Sequence, residues 1–97
     1  METTTIKLDQ GTTEEAASHR IAEWLLGWAS RTLKIERDRL DADTVFMELG
    51  VDSVDAIYML SDLEAMLDVK LETELLIECP TARALSTRVA QVWATRS

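Results

Sequence analysis

Apolar residues at Ile21, Trp24, Leu25 and Trp28 recur at i, i+3, i+4 and i+7, the spacing of one buried helical face. Upstream, Thr12 followed three residues later by Glu15 forms a capping box, whose side chains satisfy amides that a helix start leaves free. The two signals together predict a first helix over 14–33. Gly27 falls inside it, at a cost of about 1 kcal/mol relative to Ala. Residues 35–51 then lose the period. Leu40, Val45, Phe46 and Leu49 stand singly among Asp38, Asp41 and Asp43, the pattern of a long loop pinned to a core by a few anchors. Loops of this length are uncommon in compact domains unless they do something.

Gly50 breaks the chain before Asp52, a good N-cap, and Val54, Ile57, Leu60, Met66 and Leu67 supply the apolar positions of a second helix over 53–67. Asp55, Asp62 and Glu64 are expected on its outward side. A short helical turn follows near 74–78 and stops at Pro80. Thr81 caps a last helix with Leu85, Val89 and Val92 at i, i+4 and i+7. The sum is an all-α, four-helix bundle of three long helices and one short one, with a long loop between helices 1 and 2. Residues 1–13, rich in Thr, are expected to form a flexible lead-in to a domain over 14–95.

Ninety-seven residues allow one modest core and no enclosed active site with a lid. A single cysteine, Cys79, excludes an intrachain disulfide and suits a reducing compartment. No apolar run approaches the roughly 20 residues of a membrane span. The N-terminus lacks the basic start and apolar stretch of a secretory signal. A cytoplasmic protein is expected. Charge changes the picture because of where it lies. The net charge is −8, yet residues 36–79 hold thirteen acids against three bases, while residues 80–97 hold three arginines and no acid. Such a field repels nucleic acid and anionic lipid and attracts basic protein surfaces. Neither nucleic acid nor membrane is expected as a partner.

The chemistry concentrates in Phe46-Met47-Glu48-Leu49-Gly50-Val51-Asp52-Ser53-Val54. A serine directly after an N-cap aspartate presents its hydroxyl at the first turn of a helix. Free amides and the helix dipole there favour an attached or bound phosphate. No histidine lies near in sequence to act as a base, and flanking carboxylates oppose a nucleophilic role in hydrolysis. Local physics therefore leaves two readings open: a plain capping serine, or a serine modified by another enzyme.

Leu49-Gly50-Val51-Asp52-Ser53-Val54 resembles the phosphopantetheine attachment motif of acyl carrier proteins, Leu-Gly-x-Asp-Ser-Leu/Val. Phe46 fits the phenylalanine usual four residues before the glycine. Asp62-Leu63-Glu64, Pro80-Thr81 and Arg83-Ala84-Leu85 are similar to later segments of polyketide synthase carriers, and Trp24-Leu25 and Leu33 to their first helix. The resemblance covers about residues 17–93. It implies that Ser53, supported by Gly50 and Asp52, accepts 4′-phosphopantetheine from coenzyme A through a Mg-dependent phosphopantetheinyl transferase. The chain would carry acyl groups as thioesters on that arm, as a monomer without catalysis of its own. It would shuttle them between enzymes of a polyketide or mixed polyketide/fatty-acid pathway. Implied partners are an acyl-loading enzyme (an acyltransferase or fatty acyl-adenylate ligase) and a ketosynthase or other synthase domains. The docking face would be Glu48, Val54, Asp55, Met59 and Asp62. Val51 departs from the paired glycines of nonribosomal peptide carriers, which favours acyl cargo. Met59 stands where some β-branching carriers have a tryptophan. The reading from a different class is an unmodified acidic helical adaptor that binds basic partners noncovalently.

Trp24, Trp28 and Trp93 read as core at helical spacing, Cys79 as a packed thiol and His19 as a surface residue without a second ligand. Asp38, Asp41 and Asp43 lack the glycine and terminal glutamate of a calcium loop, so no metal site is expected.

Overall fold

The computed structural model describes residues 6, 8 and 11–95. Its helices are α1 (Glu14–Leu33), α2 (Ser53–Leu67), α3 (Leu75–Glu78) and α4 (Ala82–Thr95). Two 3₁₀ turns, Arg37–Arg39 and Phe46–Leu49, shape the long connection between α1 and α2. Among the described residues there is no strand, only an isolated antiparallel bridge between Val45 and Thr81. Most of residues 1–13, expected as a lead-in, lie outside the described residues. Within that stretch Ile6 is buried in the core and Leu8 packs against it.

α1 starts at Glu14 as expected, but its cap is Thr13 rather than the Thr12 of the capping box. Thr13, in extended conformation, is the N-cap, and its hydroxyl oxygen accepts the Ala16 amide at 3.0 Å. The Thr12 hydroxyl instead accepts from Arg20 at 3.4 Å. The helix buries Ala17, Ile21, Trp24, Leu25, Leu26, Trp28 and Ala29. α4 faces it with Ala82, Leu85, Ser86, Val89, Ala90 and Trp93. Trp93 takes the inward place expected of Val92, which is half-buried. Small residues bring these two helices close enough for the Ser18 and Ser86 hydroxyls to pair at 3.3 Å. All three tryptophans are core.

α2 buries Ala56, Met59, Leu60, Leu63 and Leu67. Ile57, expected inward, is exposed, and so is Val54, which the apolar period placed inward and the docking face outward. Helical phase explains this. The buried positions follow i, i+3, i+4, i+7, i+11 from Ala56, and Val54 and Ile57 sit off that stripe. Glu64, expected outward, is half-buried and accepts the Leu71 amide at 2.6 Å, which closes the turn after α2. The loop anchors separate into two grades. Leu40 and Phe46 are buried, Val45 and Leu49 half-buried, and Val51, not foreseen as an anchor, is buried as deeply as the central core.

Candidate functional site

Ser53 is positioned by a sequence of local turns, each with its own cause. Phe46 is fully buried and fixes the start of the second 3₁₀ turn. Gly50 ends that turn at φ 102°, a left-handed conformation that side chains rarely adopt. The Val51 amide donates back to the Phe46 carbonyl oxygen at 3.3 Å, and the Val51 side chain enters the core. Asp52 then caps α2, its carboxylate accepting the Asp55 amide at 2.9 Å. Its carbonyl oxygen accepts the Ala56 amide, also at 2.9 Å. Ser53 is the first helical residue, exposed, and among the described residues no group pairs with its hydroxyl.

The residues present fit a covalently attached phosphate. The hydroxyl is solvent-facing and unshared, so it is available for modification. The first amides of α2 leave positive potential beside it. The neighbouring Asp52 carboxylate is committed to its cap and turned along the helix. Among the described residues, the titratable side chains flanking Ser53 in sequence are Asp52, whose carboxylate accepts the Asp55 amide, and Asp55. His19 is exposed on α1, and no group of three or more His, Cys, Asp or Glu among the described residues is placed to hold a metal. A groove of about 490 Å³ between α1, the loop and α4 contains none of the motif residues.

The surface around Ser53 combines charge with exposed apolar side chains. Glu48, Asp52 and Asp62 are exposed and Asp55 is half-buried. Asp62 lies nine residues beyond Ser53, roughly 13 Å along the helix axis. Met59, expected as an apolar contact, is excluded: it is 0% exposed and belongs to the core. The exposed apolar residues are Val54, Ile57 and Tyr58, at 57, 47 and 63%, with Met47 on the preceding turn. The spacing of Val54, Ile57 and Tyr58 at i, i+3, i+4 is a second helical stripe, and that was the signal available for Ile57 and Tyr58. On α3, Ile77 also projects into solvent.

One ion pair, between the loop and α4, perturbs a titration. The Arg83 guanidinium grips both Asp43 carboxylate oxygens, at 2.8 and 3.2 Å. The hydrogen bond and the charge of Arg83 hold the Asp43 carboxyl below its ordinary range. The reciprocal contact raises Arg83 further, so it stays charged.

Residues 23–89 match the family model described as the phosphopantetheine attachment site. Over 68 residues, 70% of its length, the chain is 31% identical to a non-reducing polyketide synthase of Trichophyton verrucosum, and it spans only 4% of that protein. It is 32% identical to an acyl carrier protein homolog of Mycoplasmopsis pulmonis over 57 residues, 59% of this chain and 74% of that one. Among solved structures it resembles a free-standing peptidyl carrier protein from Acinetobacter baumannii, with TM-score 0.67 and 26% identity, covering 84% of this chain and 96% of that one. The HMG-ACPI domain of the Lyngbya majuscula CurA module shares the fold, with TM-score 0.71 at 19% identity, covering 97% of this chain and 91% of that one.

Proposed function

Because the chain belongs to the phosphopantetheine-attachment carrier family, whose members bear a covalent 4′-phosphopantetheine and are generally non-catalytic, we propose that Ser53 is its attachment residue and that it carries acyl intermediates as thioesters. The observation that carries this reading is the exposed, unpartnered Ser53 hydroxyl at the first turn of α2, inside the matched segment. In the modification, the Ser53 oxygen displaces 3′,5′-ADP from coenzyme A and forms a phosphodiester. The serine proton goes to a base on the transferase. When bound, the arm supplies a terminal thiol on which an acyl group is activated for transfer.

The chain's own contribution is placement and recognition. Gly50 and Val51 aim the start of α2, Asp52 caps it, and the positive end of the helix dipole would favour a phosphodiester on Ser53. A tether on a small domain keeps the cargo at high effective concentration for whichever enzyme docks. The docking face comprises Glu48, Asp55 and Asp62 with Val54, Ile57, Tyr58 and Met47. Acidic charge steers basic partners in quickly, and the small apolar area lets them leave quickly. The partners proposed are a phosphopantetheinyl transferase, an acyltransferase or fatty acyl-adenylate ligase as loader, and a ketosynthase or other synthase domain. The setting proposed is a cytoplasmic polyketide or mixed polyketide/fatty-acid pathway, in keeping with the polyketide synthase likeness.

The likeness to a peptidyl carrier protein supports a second reading, in which the cargo is aminoacyl. Incubation with coenzyme A and a promiscuous phosphopantetheinyl transferase, followed by intact mass measurement, tests the carrier function. The expected result is a gain of one phosphopantetheine that disappears in Ser53→Ala. No gain, or a gain that survives the substitution, leaves the noncovalent adaptor. The mass of cargo recovered on the arm from the native host separates acyl from aminoacyl.

A further inference from the structure

The loop that delivers Ser53 is held from the side by the beginning of α4. The Arg83 amide donates to the Ala42 carbonyl oxygen at 2.8 Å, and the Phe46 amide to the Pro80 carbonyl oxygen at 3.0 Å. Val45 and Thr81 form the isolated bridge between these contacts. The Arg83 guanidinium closes the set with its two bonds to Asp43. Among the described residues, this pair of bonds is the one side-chain ion pair by which residues 41–49 reach another element.

Asp43 and Arg83 are both well exposed, and exposed pairs of this kind add little to fold stability. The tie enters the loop at Asp43, passes through Phe46 to the Val51 amide on the Phe46 carbonyl oxygen, and reaches the Asp52 cap and Ser53. A bidentate guanidinium–carboxylate contact also fixes orientation, which a single hydrogen bond does not.

We propose that the Asp43–Arg83 clasp is a positioning element for Ser53, which keeps residues 41–52 in the arrangement that a docking transferase recognises. The inference rests on the carrier reading of Ser53. Opening the clasp lowers the fraction of molecules in the docking-competent arrangement, and apparent affinity falls by that same fraction. Once docked, the partner imposes the arrangement, so turnover is unchanged.

The test measures KM and kcat of the transferase toward the wild type, Arg83→Gln, Asp43→Asn and the double exchange Asp43→Arg/Arg83→Asp. Each single variant is expected to raise KM about threefold at constant kcat, and the double exchange to restore it. The pair of single variants discriminates sharply. Arg83→Gln makes the domain more acidic and Asp43→Asn less acidic, so long-range steering by a basic partner would move KM in opposite directions, whereas loss of the clasp raises both. Opposite shifts, or unchanged KM in both variants while the wild type is modified normally, overturn the clasp and leave the carrier reading intact. A wild type that gains no mass overturns both. Hydrogen exchange at the Phe46 and Val51 amides gives a readout independent of the transferase. Faster exchange in both single variants is expected, and exchange equal to wild type overturns the proposal.

Discussion

The amide of Phe46 donates to the carbonyl oxygen of Pro80 at 3.0 Å, while its ring is completely buried among the helices. One residue therefore joins the loop before Ser53 to the link between α3 and α4, by backbone on one side and by core packing on the other. The buried Leu40 and Val51 and the Arg83 amide on the Ala42 carbonyl oxygen hold the same connection at other points.

Removing the Phe46 ring leaves a cavity that the short 3₁₀ turn cannot fill by collapse. Phe46→Ala is expected to destabilise the domain by about 3–5 kcal/mol. Urea unfolding checks this: the midpoint should fall at unchanged slope.

The two apolar stripes of α2 should respond oppositely to a charge. Ile57→Asp lies on the exposed stripe and should change stability by no more than about 0.5 kcal/mol. It should nevertheless raise the KM of the transferase about fivefold, the effect of losing a contact of about 1 kcal/mol at an interface. Met59→Asp places a carboxylate in the core and should leave no folded population by circular dichroism.

Asp52 stands beside Ser53, yet its carboxylate serves the helix. Asp52→Ala removes the acceptor for the Asp55 amide and should cost about 1 kcal/mol. Asp52→Asn keeps an acceptor in place and should recover most of that loss in the same thermal or urea experiment.

Asp43 supplies the pH dependence. Its carboxyl is held low by Arg83, so its contribution is present above the ordinary carboxylate value of about 3.9 and is lost as pH falls through the depressed folded value. Between pH 5 and 8 the clasp stays closed. Carboxyl titration by NMR should place the Asp43 midpoint lower in the wild type than in Arg83→Gln. Equal midpoints would show that the contact is not formed in solution.

The elements of this protein were legible because their determinants are local. Asp52 before Ser53, Gly50 at a left-handed turn, and Pro80 with Thr81 mark helix ends within a few residues, and α1 and α2 occur over the expected spans. The cap of α1 was misplaced by one residue because Thr12 and Thr13 offer equivalent hydroxyls, and only the path of the chain into the helix selects Thr13. Ser53 itself was legible as a motif and as a helix start.

Which face of α2 turns inward was not legible. Val54, Ile57 and Tyr58 make one apolar stripe and Ala56, Met59, Leu60 and Leu63 another, and the choice depends on what α1, α4 and the loop present to the helix. Met59 thereby moved from the docking surface to the core, Ile57 moved out, and Tyr58, given no place by the sequence reading, is exposed beside it. The same holds for the clasp: Asp43 and Arg83 are 40 residues apart, and no local pattern relates them. Amino-acid order by itself determined the helices, the acidic middle segment and the position of the serine, because capping, periodicity and charge act between near neighbours. Tertiary structure alone decided which side chains surround that serine and what holds its loop, because those contacts exist only once distant segments have packed together.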